Sequence, residues 1–394
     1  MNDALLVINT GSSSIKYAVF TYIADNKLCR LYSGAVDGIG EQTSFAATSH
    51  KSGQNEHDEV KTDSLHAKNH SQALQHILNW LEQEVSDLEF VAIGHRVVHG
   101  GTTFSQAIRI DHSVLNQLKK LIALAPLHQP HALEAIEVLI AQRPHMPQVA
   151  CFDTAFHTSM PKREQQFALP QSLTDQGIRR FGFHGLSYEY IASVLPTHLG
   201  ETANCKVVIA HLGHGVSMCA LQDRKSVATT MSFTPLDGLP MGTRSGSIDP
   251  AVVLYLLERG MTGNEISDLL HHHSGLLGLS GISGDIRTLL SSPTPGATEA
   301  VDFFCYRISR ELGSLTAALG GLDAVVFTGG IGEHAALVRA KICRDSAWLG
   351  IAINEEANQA NTLQISTDAS KVSVWVIPTD EEQMIARHTL ATIV

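Results

Sequence analysis

The feature that most constrains the fold of this chain is a pattern that occurs twice. In it, a polar turn that contains glycine joins two apolar segments. One turn, Asn9–Ser14, lies near the N-terminus, and the other, His211–Gly215, lies near the middle of the chain. An apolar run of strand length on each side of such a turn predicts a β-hairpin. One hairpin in each half of the sequence therefore indicates a duplicated domain.

Helices and strands alternate along much of the remaining sequence, which favours the α/β class. Segment 41–70 contains few apolar residues and is predicted to be an exposed, variable insertion. Short apolar runs predict buried strands at Ala324–Phe327 and Val372–Ile377. Apolar residues at helical spacing predict helices over 72–85, 134–141, 250–258, 298–319 and 381–393, and another from about residue 335.

Composition excludes several classes of protein. The net charge of −11 argues against a broad basic surface for nucleic acid. The N-terminus does not resemble a signal peptide, and no apolar run approaches the roughly 18 residues of a membrane helix. The six cysteines include no CxxC pair, which is typical of a cytoplasmic protein rather than a disulfide or zinc protein. The run His271–His273 is predicted to lie in a loop, where metal binding is a minor alternative.

Two glycine-containing turns suit phosphate groups. Segment Asn9–Lys16 offers an amide, hydroxyls, backbone N–H groups and a lysine, which suit phosphate oxygens and hydrated Mg²⁺; the alternative is an ordinary serine-rich hairpin turn. Segment Thr328–Glu333 follows a predicted strand and precedes a helix, so it is either a nucleotide-binding loop or a simple tight turn.

Isolated charged and titratable residues in apolar, glycine-bounded surroundings are candidate functional groups. Arg96 and Arg244 each require a partner, either a structural carboxylate or an anionic ligand. Asp153, His157 and His184 also lie among apolar residues.

Common nucleotide-binding and hydrolase signatures are missing. The sequence has no P-loop motif, no protein-kinase motif set, no HExxH and no GxSxG. The match of Gly330–Ala335 to GxGxxA is weak, because it lies late in the chain rather than in an opening βαβ unit. A nicotinamide-dependent enzyme is therefore disfavoured.

Ten ordered motifs carry a family resemblance that spans the chain. They are NTGSSSIKY, GHRVVHGG, LAPLHQP, FDTAFH, RRFGFHGLSYEYI, HLGHGVS, SFTPLDGLPMGTRSGSIDP, SGISGDIR, GGIGEH and PTDEEQMIAR. Together they resemble the signatures of the acetate kinases, within the superfamily of acetate and sugar kinases, heat-shock-70 proteins and actin. The resemblance implies two duplicated actin-like (ribonuclease H-like) α/β domains with a nucleotide cleft between them. It places the first domain at 1–150 plus about 381–394, and the second, with most nucleotide contacts, at 151–380.

The resemblance also implies an activity. It is a reversible, direct in-line phosphoryl transfer between ATP and acetate that gives acetyl phosphate and ADP, as in acetyl-CoA biosynthesis, and that requires Mg²⁺, with Mn²⁺ as a substitute. The closest alternative is a propionate kinase or another short-chain carboxylate kinase. A non-catalytic nucleotide-binding module on the same fold is a rival from a different class. The expected partners are small molecules and a second copy of the chain, in a cytoplasmic homodimer without nucleic acid or membrane.

Residue roles follow from the resemblance by motif. The catalytic residues would be Asp153, His184, Arg244 and Arg96. The acyl substrate would contact Arg96, Val98, Leu127, Phe183 and Pro235. The metal would be held, largely through water, by Asn9 and Glu381. The nucleotide would contact Ser12, Ser14, Lys16, His211, Leu212, Gly213, His214, Gly215, Asp285, Ile286, Arg287, Gly330, Ile331, Gly332, Glu333 and His334.

Four positions depart from the usual family pattern. His214 and His334 stand where the family has Asn, Ser247 where it has Asp, and Asp380 where it has Asn. An imidazole N–H can replace an amide N–H as a donor, so the histidines are compatible with nucleotide binding.

Overall fold

The computed structural model describes residues 2–23, 27–40, 42–50, 57–85 and 87–394. The chain forms two compact units. Unit 1 contains residues 1–155 and returns at 380–394, and unit 2 contains residues 156–379.

Thirteen strands within the described residues form one sheet in each unit. In unit 1 they are β1 (Asn2–Thr10), β2 (Ser14–Ile23), β3 (Lys27–Asp37), β4 (Thr43–His50), β5 (His57–Leu65), β6 (Leu88–Val97), β7 (Ile108–Arg109) and β8 (Gln148–Phe152). In unit 2 they are β9 (Val207–Leu212), β10 (Val216–Gln222), β11 (Lys225–Thr229), β12 (Ala324–Thr328) and β13 (Ser373–Val376). Both predicted hairpins are confirmed as the β1–β2 and β9–β10 pairs.

Fifteen α-helices within the same described ranges accompany the sheets. They are α1 (His70–Glu84), α2 (His112–Lys120), α3 (Gln129–Gln142), α4 (Lys162–Gln165), α5 (Gln171–Asp175), α6 (Gly185–Leu199), α7 (Pro250–Glu258), α8 (Gly263–His272), α9 (Gly275–Ser280), α10 (Ile286–Ser291), α11 (Pro295–Leu319), α12 (Gly329–His334), α13 (Ala336–Asp345), α14 (Glu355–Gln359) and α15 (Glu381–Ile393). None combines the length and apolarity needed to cross a bilayer, within the residues described.

The two sheets share a five-strand core with the same order and directions. Unit 1 contains β3-β2-β1-β6-β8 and unit 2 contains β11-β10-β9-β12-β13. In each, the first three strands are antiparallel and the last three are parallel. The α/β class and the duplication predicted from the hairpins are therefore confirmed. Unit 1 extends its core with β4 and β5 on one side and β7 on the other.

Parallel pairing brings the carboxyl ends of three strands to one edge of each sheet. In unit 1, Ile8 of β1 pairs with His95 of β6, and Arg96 pairs with Cys151 of β8. In unit 2, His211 of β9 pairs with Thr328 of β12. Ligands of open α/β sheets bind outside this edge, so these strand ends are where functional groups are expected.

The last helix, α15, completes unit 1 by packing on β1, β6 and β8. Gly94 permits this close contact, since a Cβ there would lie 2.2 Å from Thr389 Oγ1 and 2.7 Å from Ile385. The packing places the N-terminus of α15 near the carboxyl ends of the strands.

For the residues described, segment 41–70 is an addition to the shared core, but the prediction that it is exposed is wrong. Strands β4 and β5 belong to the main sheet, and α1 begins at His70. The sequence of β4 alternates, with Phe45 and Ala47 buried at 0 % and 2 % exposure and their neighbours facing outward. Alternation with a period of two is typical of a strand near the edge of a sheet that has one covered face. In β4 only two apolar side chains show this pattern. Residues 41 and 51–56 lie outside the described ranges.

Two local predictions also change. The turn after β12 is not a loop, because α12 begins at Gly329 directly after the strand. His271 and His272 form the last turn of α8, and His273 is its C-cap, rather than a loop. The helices predicted over 72–85, 134–141, 250–258, 298–319 and 381–393 are confirmed as α1, α3, α7, α11 and α15, with ends shifted by up to five residues.

Phe45 provides a test of whether β4 belongs to the core. Its ring lies 5.7 Å from Trp80 and 6.2 Å from Tyr17, centroid to centroid. We expect Phe45→Ala to lower the free energy of unfolding by about 3–5 kcal/mol, because the cavity removes these contacts. The exposed neighbour Ser44→Ala should change it by less than about 0.5 kcal/mol. Urea denaturation followed by circular dichroism measures both, and equal effects would show that β4 is peripheral.

Candidate functional site

Unit 1 gathers polar side chains at the carboxyl edge of its parallel strands. Asn9 lies at the end of β1, Arg96 at the end of β6 and Asp153 directly after β8, while Glu381 and Glu382 open α15. We call these five residues the unit 1 cluster. Four of them were predicted as site residues from the sequence, whereas Glu382, in the same motif as Glu381, was not.

Arg96 and Asp153 form a nearly buried, two-pronged ion pair. Arg96 Nε lies 3.0 Å from Asp153 Oδ1, and Nη2 donates to Oδ2 at 2.6 Å. The side chains are 14 % and 1 % exposed. Burial alone would lower the pKa of Arg96, but Asp153, Glu381 and Glu382 outweigh it and raise that pKa above its usual value. Asp153 is therefore the carboxylate partner that the sequence required for Arg96.

The glutamates at the start of α15 are tied to Asn9. Its amide Nδ2 donates to Glu381 Oε2 at 3.1 Å and to Glu382 Oε1 at 2.8 Å. Arg96 Nε lies 4.0 Å from Glu381. The result is a set of hard oxygen donors, an amide oxygen and two carboxylates, of the kind that Mg²⁺ uses together with bound water. In the ranges described, no three His, Cys, Asp or Glu side chains are grouped as direct metal ligands.

Asp380, one of the departures, has a structural role just before this cluster. Its carboxylate accepts a hydrogen bond from Gln383 N at 2.9 Å and so caps α15. It also forms an ion pair with Arg30. An aspartate fits both contacts, since it caps as well as asparagine does and adds the charge that pairs with an arginine.

The β1–β2 turn presents its polar groups outward. Ser12 and Lys16 are exposed and Ser14 is half-buried. Gly11 N donates to Ser14 O at 2.8 Å, and the ring Nε2 of the buried His70 lies 2.9 Å from Gly11 O. The turn is thus anchored through its backbone while its hydroxyls and lysine remain accessible.

Unit 2 gathers imidazoles and an arginine at the corresponding edge of its sheet. His184, the N-cap of α6, stacks on His211 of β9 with ring centroids 4.3 Å apart. His184 Nδ1 lies 2.8 Å from Ser217 Oγ, and His211 Nδ1 lies 2.8 Å from Ser187 Oγ. His184 adopts a left-handed backbone with φ 56°, which is uncommon for a residue other than glycine and is typical of functional positions.

Arg244 lies next to this histidine pair. A Cβ placed on Gly215 would be 3.0 Å from His184 Nε2 and 3.9 Å from Arg244 Nη1. Arg244 Nη1 donates to Pro235 O at 3.4 Å. The β9–β10 turn, the imidazole and the guanidinium therefore lie close together, and a side chain at position 215 would crowd the imidazole. We call His184, His211, Gly215 and Arg244 the unit 2 cluster.

A pocket of about 680 Å³ lies within unit 2. This volume is in the range of small-molecule and cofactor pockets. Apolar walls are mixed with a few polar groups and glycine backbone. The lining residues are Gly213, His214, Val216, Gly242, Thr243, Leu276, Gly284, Asp285, Ile286, Arg287, Leu290, Phe304, Gly330, Ile331, His334 and Ala335.

Both substituted histidines, His214 and His334, are among these lining residues. Removal from water, and secondarily the charge of Arg244, lowers the pKa of His214 below its usual value. This shift favours the neutral imidazole, which is an amide-like hydrogen-bond partner rather than a cation.

Several predicted nucleotide residues do not line this pocket, and their nucleotide contacts stay a prediction. Leu212 and Gly332 are buried. The carboxylate of Glu333 accepts hydrogen bonds from Gly329 N at 2.8 Å and Thr379 N at 3.3 Å, so it holds the turn after β12 to the segment before α15. Ser12, Ser14 and Lys16 belong to unit 1.

The predicted acyl-binding residues are divided between the units. Val98 and Leu127 belong to unit 1, and Phe183 and Pro235 belong to unit 2. Val98 and Phe183 are 2 % and 1 % exposed. Their assembly into one pocket remains a prediction.

Sequence reasoning missed the residues that hold these clusters in place. Glu382, Ser187, Tyr188, Ser217 and Thr379 all lie inside or beside the quoted motifs. Their roles depend on pairings such as Ser187 Oγ with Thr379 Oγ1, 2.8 Å apart and 192 positions distant in sequence. The motifs identified the segments, but the hydrogen-bond partner of each hydroxyl group follows only from the fold.

Chemically, the two clusters suit anionic reactants. Unit 1 offers oxygen donors for a hard cation beside exposed hydroxyls and a lysine. Unit 2 offers an arginine, two imidazoles and glycine backbone, together with a pocket that has apolar walls. The backbone N–H groups of glycine-containing turns favour phosphate.

Comparison with known proteins gives a consistent result. The model of the acetokinase family matches residues 4–387. Acetate kinase of Rhodopseudomonas palustris (strain ATCC BAA-98 / CGA009) is 51 % identical over 98 % of each chain. Acetate kinase of Rhizobium meliloti is 47 % identical over 99 % of this chain and 98 % of that one.

Solved structures agree over the whole length. A propionate kinase from Francisella tularensis is 36 % identical with a TM-score of 0.89, covering 99 % of each chain. The acetate kinase of Porphyromonas gingivalis is 35 % identical with a TM-score of 0.85 and full coverage of both chains.

The Arg96–Asp153 pair makes a testable contribution to stability. Asp153→Ala leaves a nearly buried guanidinium compensated by the more distant Glu381 and Glu382, so we expect the free energy of unfolding to fall by roughly 3 kcal/mol. The exposed pair Arg143–Glu82 is the control, because Glu82→Ala should cost no more than about 1 kcal/mol. Urea denaturation of both variants measures the difference. Similar losses would mean that Asp153 does not support Arg96.

Proposed function

Because this chain belongs to the acetokinase family and accordingly phosphorylates acetate with ATP, we propose that its two clusters bind and orient these reactants. The observation that carries this assignment of roles is the unit 2 cluster. There, Arg244, His184 and the backbone of Gly215 lie together at the carboxyl edge of the sheet. Proteins bind anions with such groups.

The pocket of unit 2 is proposed to bind the nucleoside of ATP. Ile286, Ile331, Leu276 and Phe304 supply apolar walls for a base. Asp285 caps α10 by accepting from Arg287 N at 2.9 Å and lies at the pocket surface, where its carboxylate is a candidate acceptor for ribose hydroxyls. The turns Gly213–Gly215 and Ser12–Lys16 would then meet the phosphates with backbone N–H groups, hydroxyls and an amine.

The transfer needs no general base. The carboxyl group of acetate has a pKa near that of a glutamate side chain, about 4.3, and is ionised at neutral pH. One of its oxygens attacks the γ-phosphorus in line, the bond from that phosphorus to the β,γ-bridging oxygen breaks, and ADP leaves without any proton transfer. Asp153 is already committed to Arg96, which agrees with an orienting role rather than a proton-accepting one.

The main difficulty is the repulsion between a carboxylate and a polyphosphate. Arg244 and Arg96 would offset it with positive charge, and His184 would donate a hydrogen bond to the moving phosphoryl group. A divalent metal, proposed to be Mg²⁺ or in its place Mn²⁺, supplies further neutralisation of phosphate charge when bound. Asn9, Glu381 and Glu382 would hold its water shell.

Acetate is the substrate favoured by the comparisons. The relatives at 47–51 % identity are named acetate kinases, whereas the similar propionate kinase structure is 36 % identical. Val98, Leu127, Phe183 and Pro235 are proposed to bound the methyl group. A pocket of this kind discriminates one methylene by about 1–3 kcal/mol.

The assay that tests the activity traps acyl phosphate with hydroxylamine in the presence of ATP, Mg²⁺ and acetate, propionate or butyrate. We expect kcat/KM for acetate to exceed that for propionate by roughly tenfold. Arg244→Ala should lower turnover by about a hundredfold or more without unfolding the protein. Arg143→Ala, at an exposed ion pair, is the matched control and should behave as wild type. A non-catalytic binding module would yield no acyl phosphate at all.

The protein is further proposed to be a cytoplasmic homodimer. Helix α7 exposes Val252, Leu254, Tyr255 and Leu257, each between 44 % and 61 %. Four exposed apolar side chains on one short helix mark an interface rather than ordinary surface. All six cysteines are outside disulfides, which suits a reducing compartment.

Light scattering on the purified chain tests this association. We expect a mass of twice 42.6 kDa for the wild type. Leu254→Glu places a charge in the proposed interface and should yield monomer. Leu169→Glu, at an exposed apolar residue in a different segment, should remain dimeric. A monomeric wild type, or a dimer that tolerates both changes, would refute α7 as the interface.

A further inference from the structure

Two buried hydroxyl groups form a chain of hydrogen bonds that ends at His184 of the unit 2 cluster. Tyr188 Oη lies 2.5 Å from Ser217 Oγ, and Ser217 Oγ lies 2.8 Å from His184 Nδ1. Tyr188 and Ser217 are both 0 % exposed. Tyr188 is on α6, one turn after His184, and Ser217 is on β10, so two separate elements fix the arrangement.

The direction of the first hydrogen bond follows from the burial of Tyr188. Burial raises the pKa of its phenol well above the usual value, so the phenol keeps its proton. In the part of the chain that the structure describes, Ser217 Oγ is the hydrogen-bond partner of that phenol. A buried O–H that failed to donate would cost about 1–3 kcal/mol, so Tyr188 donates to Ser217.

The second hydrogen bond can then run from Ser217 to His184. With one lone pair of Ser217 occupied by Tyr188, its own proton is available for Nδ1 of His184. An imidazole that accepts at Nδ1 carries its single proton at Nε2 when it is neutral. The Nε2 atom is the one that lies on the side of Gly215 and Arg244, 3.0 Å from where a Cβ of residue 215 would be.

The surroundings also favour a neutral ring. The guanidinium of Arg244 lies beside it and His211 is stacked on it, so a second positive charge there would be disfavoured. Protonation of Nδ1 would in addition require Ser217 to turn its proton away and to accept from both neighbours.

We propose that Tyr188 and Ser217 are positioning residues that fix His184 as a neutral Nε2–H donor aimed at the transferred phosphoryl group. This inference rests on the proposed role of His184 and adds to it the identity of the proton-bearing nitrogen. This chain of hydrogen bonds, the Tyr188–Ser217 relay, transfers no proton. It requires no reorganisation during phosphoryl transfer, because the donor is oriented before the reactants bind. A metal-bound or doubly protonated ring is not needed for this role.

The same unit contains an internal reference for this arrangement. His157 Nδ1 lies 2.9 Å from Ser226 Oγ, and its Nε2 lies 2.9 Å from Phe183 O. A carbonyl oxygen can only accept, so His157 must carry its proton at Nε2. Burial lowers its pKa to about 4, so it is neutral. Its ring signals therefore define the Nε2–H tautomer within the same molecule.

Histidine-labelled protein examined by nitrogen-15 NMR tests the tautomer directly. The full chain is used without ligand, and His184→Gln identifies the signals of His184. We expect wild-type His184 to match His157 as an Nε2–H ring, and Ser217→Ala to produce a mixture of tautomers. A wild-type ring protonated at Nδ1, or a doubly protonated ring at neutral pH, would overturn the inference. This readout does not depend on catalysis, so it remains decisive if no acyl phosphate is formed.

Kinetics supply the second readout. Ser217→Ala should lower kcat by roughly tenfold to a hundredfold with KM for ATP and acetate changed less than about threefold, because the lost effect acts in the transition state. Tyr188→Phe should lower kcat less, and Ser217→Thr should restore it. Wild-type kcat in both Ser217→Ala and Tyr188→Phe would contradict the relay.

Two control variants each remove a buried hydroxyl group at a position that does not contact His184. Tyr17→Phe deletes the hydroxyl of another buried tyrosine, one without a hydrogen-bond partner among the described residues. Ser309→Ala deletes a buried serine hydroxyl that donates to Cys305 O at 3.0 Å within α11. Both variants should retain wild-type kcat and the wild-type signals of His184. Loss of kcat in these controls as well would show that buried hydroxyls act through stability alone.

Discussion

In each unit a parallel strand lies against the first strand of a hairpin, and this pairing determines which strand ends come together. In unit 1 it places Asn9, Arg96 and Asp153 at one edge of the sheet, and in unit 2 it does the same for His211 and Thr328. The hairpin turns lie at the same edge, so glycine backbone and hydroxyl groups meet these side chains without any long loop. Neither set of residues would be assembled if the parallel strand were displaced by one position, since side chains alternate between faces.

The two copies of this arrangement carry different chemistry on one plan. Unit 1 uses carboxylates, an amide and an arginine that is locked to Asp153, which suits the hydration shell of a hard cation. Unit 2 uses imidazoles, an arginine and glycine turns, which suits phosphate oxygens. A chain with a net charge of −11 can therefore bind anions, because its positive and hydrogen-bond-donating groups are concentrated locally.

The sequence predicted those features that repeat along the chain or lie within one motif. Apolar periodicity identified α7 and α11, and the two turns identified both hairpins and the duplication. Features carried by few side chains were missed. Phe45 and Ala47 were too little signal to reveal β4 as part of the sheet. The Tyr188–Ser217 relay joins residues that only the approach of α6 to β10 brings together. Ser247 shows the same limit. Its hydroxyl donates to Asp237 at 2.6 Å, which explains how serine is accommodated where the family has aspartate. The sequence around Asp237 did not indicate this hydrogen bond.

The return of α15 to unit 1 has a consequence for biosynthesis. The strands of unit 1 are translated first, yet the helix that covers β1, β6 and β8 emerges only after residues 156–379. During translation the surface beside Gly94 stays uncovered until Ile385 and Thr389 are made. The hydrogen bonds of Asn9 to Glu381 and Glu382 also form only then. A chain that terminates before residue 380 therefore has an uncovered sheet and lacks Glu381 and Glu382 of the unit 1 cluster. Quality control can distinguish such a fragment by its exposed apolar face, and the fragment lacks the carboxylates that the proposed reaction requires.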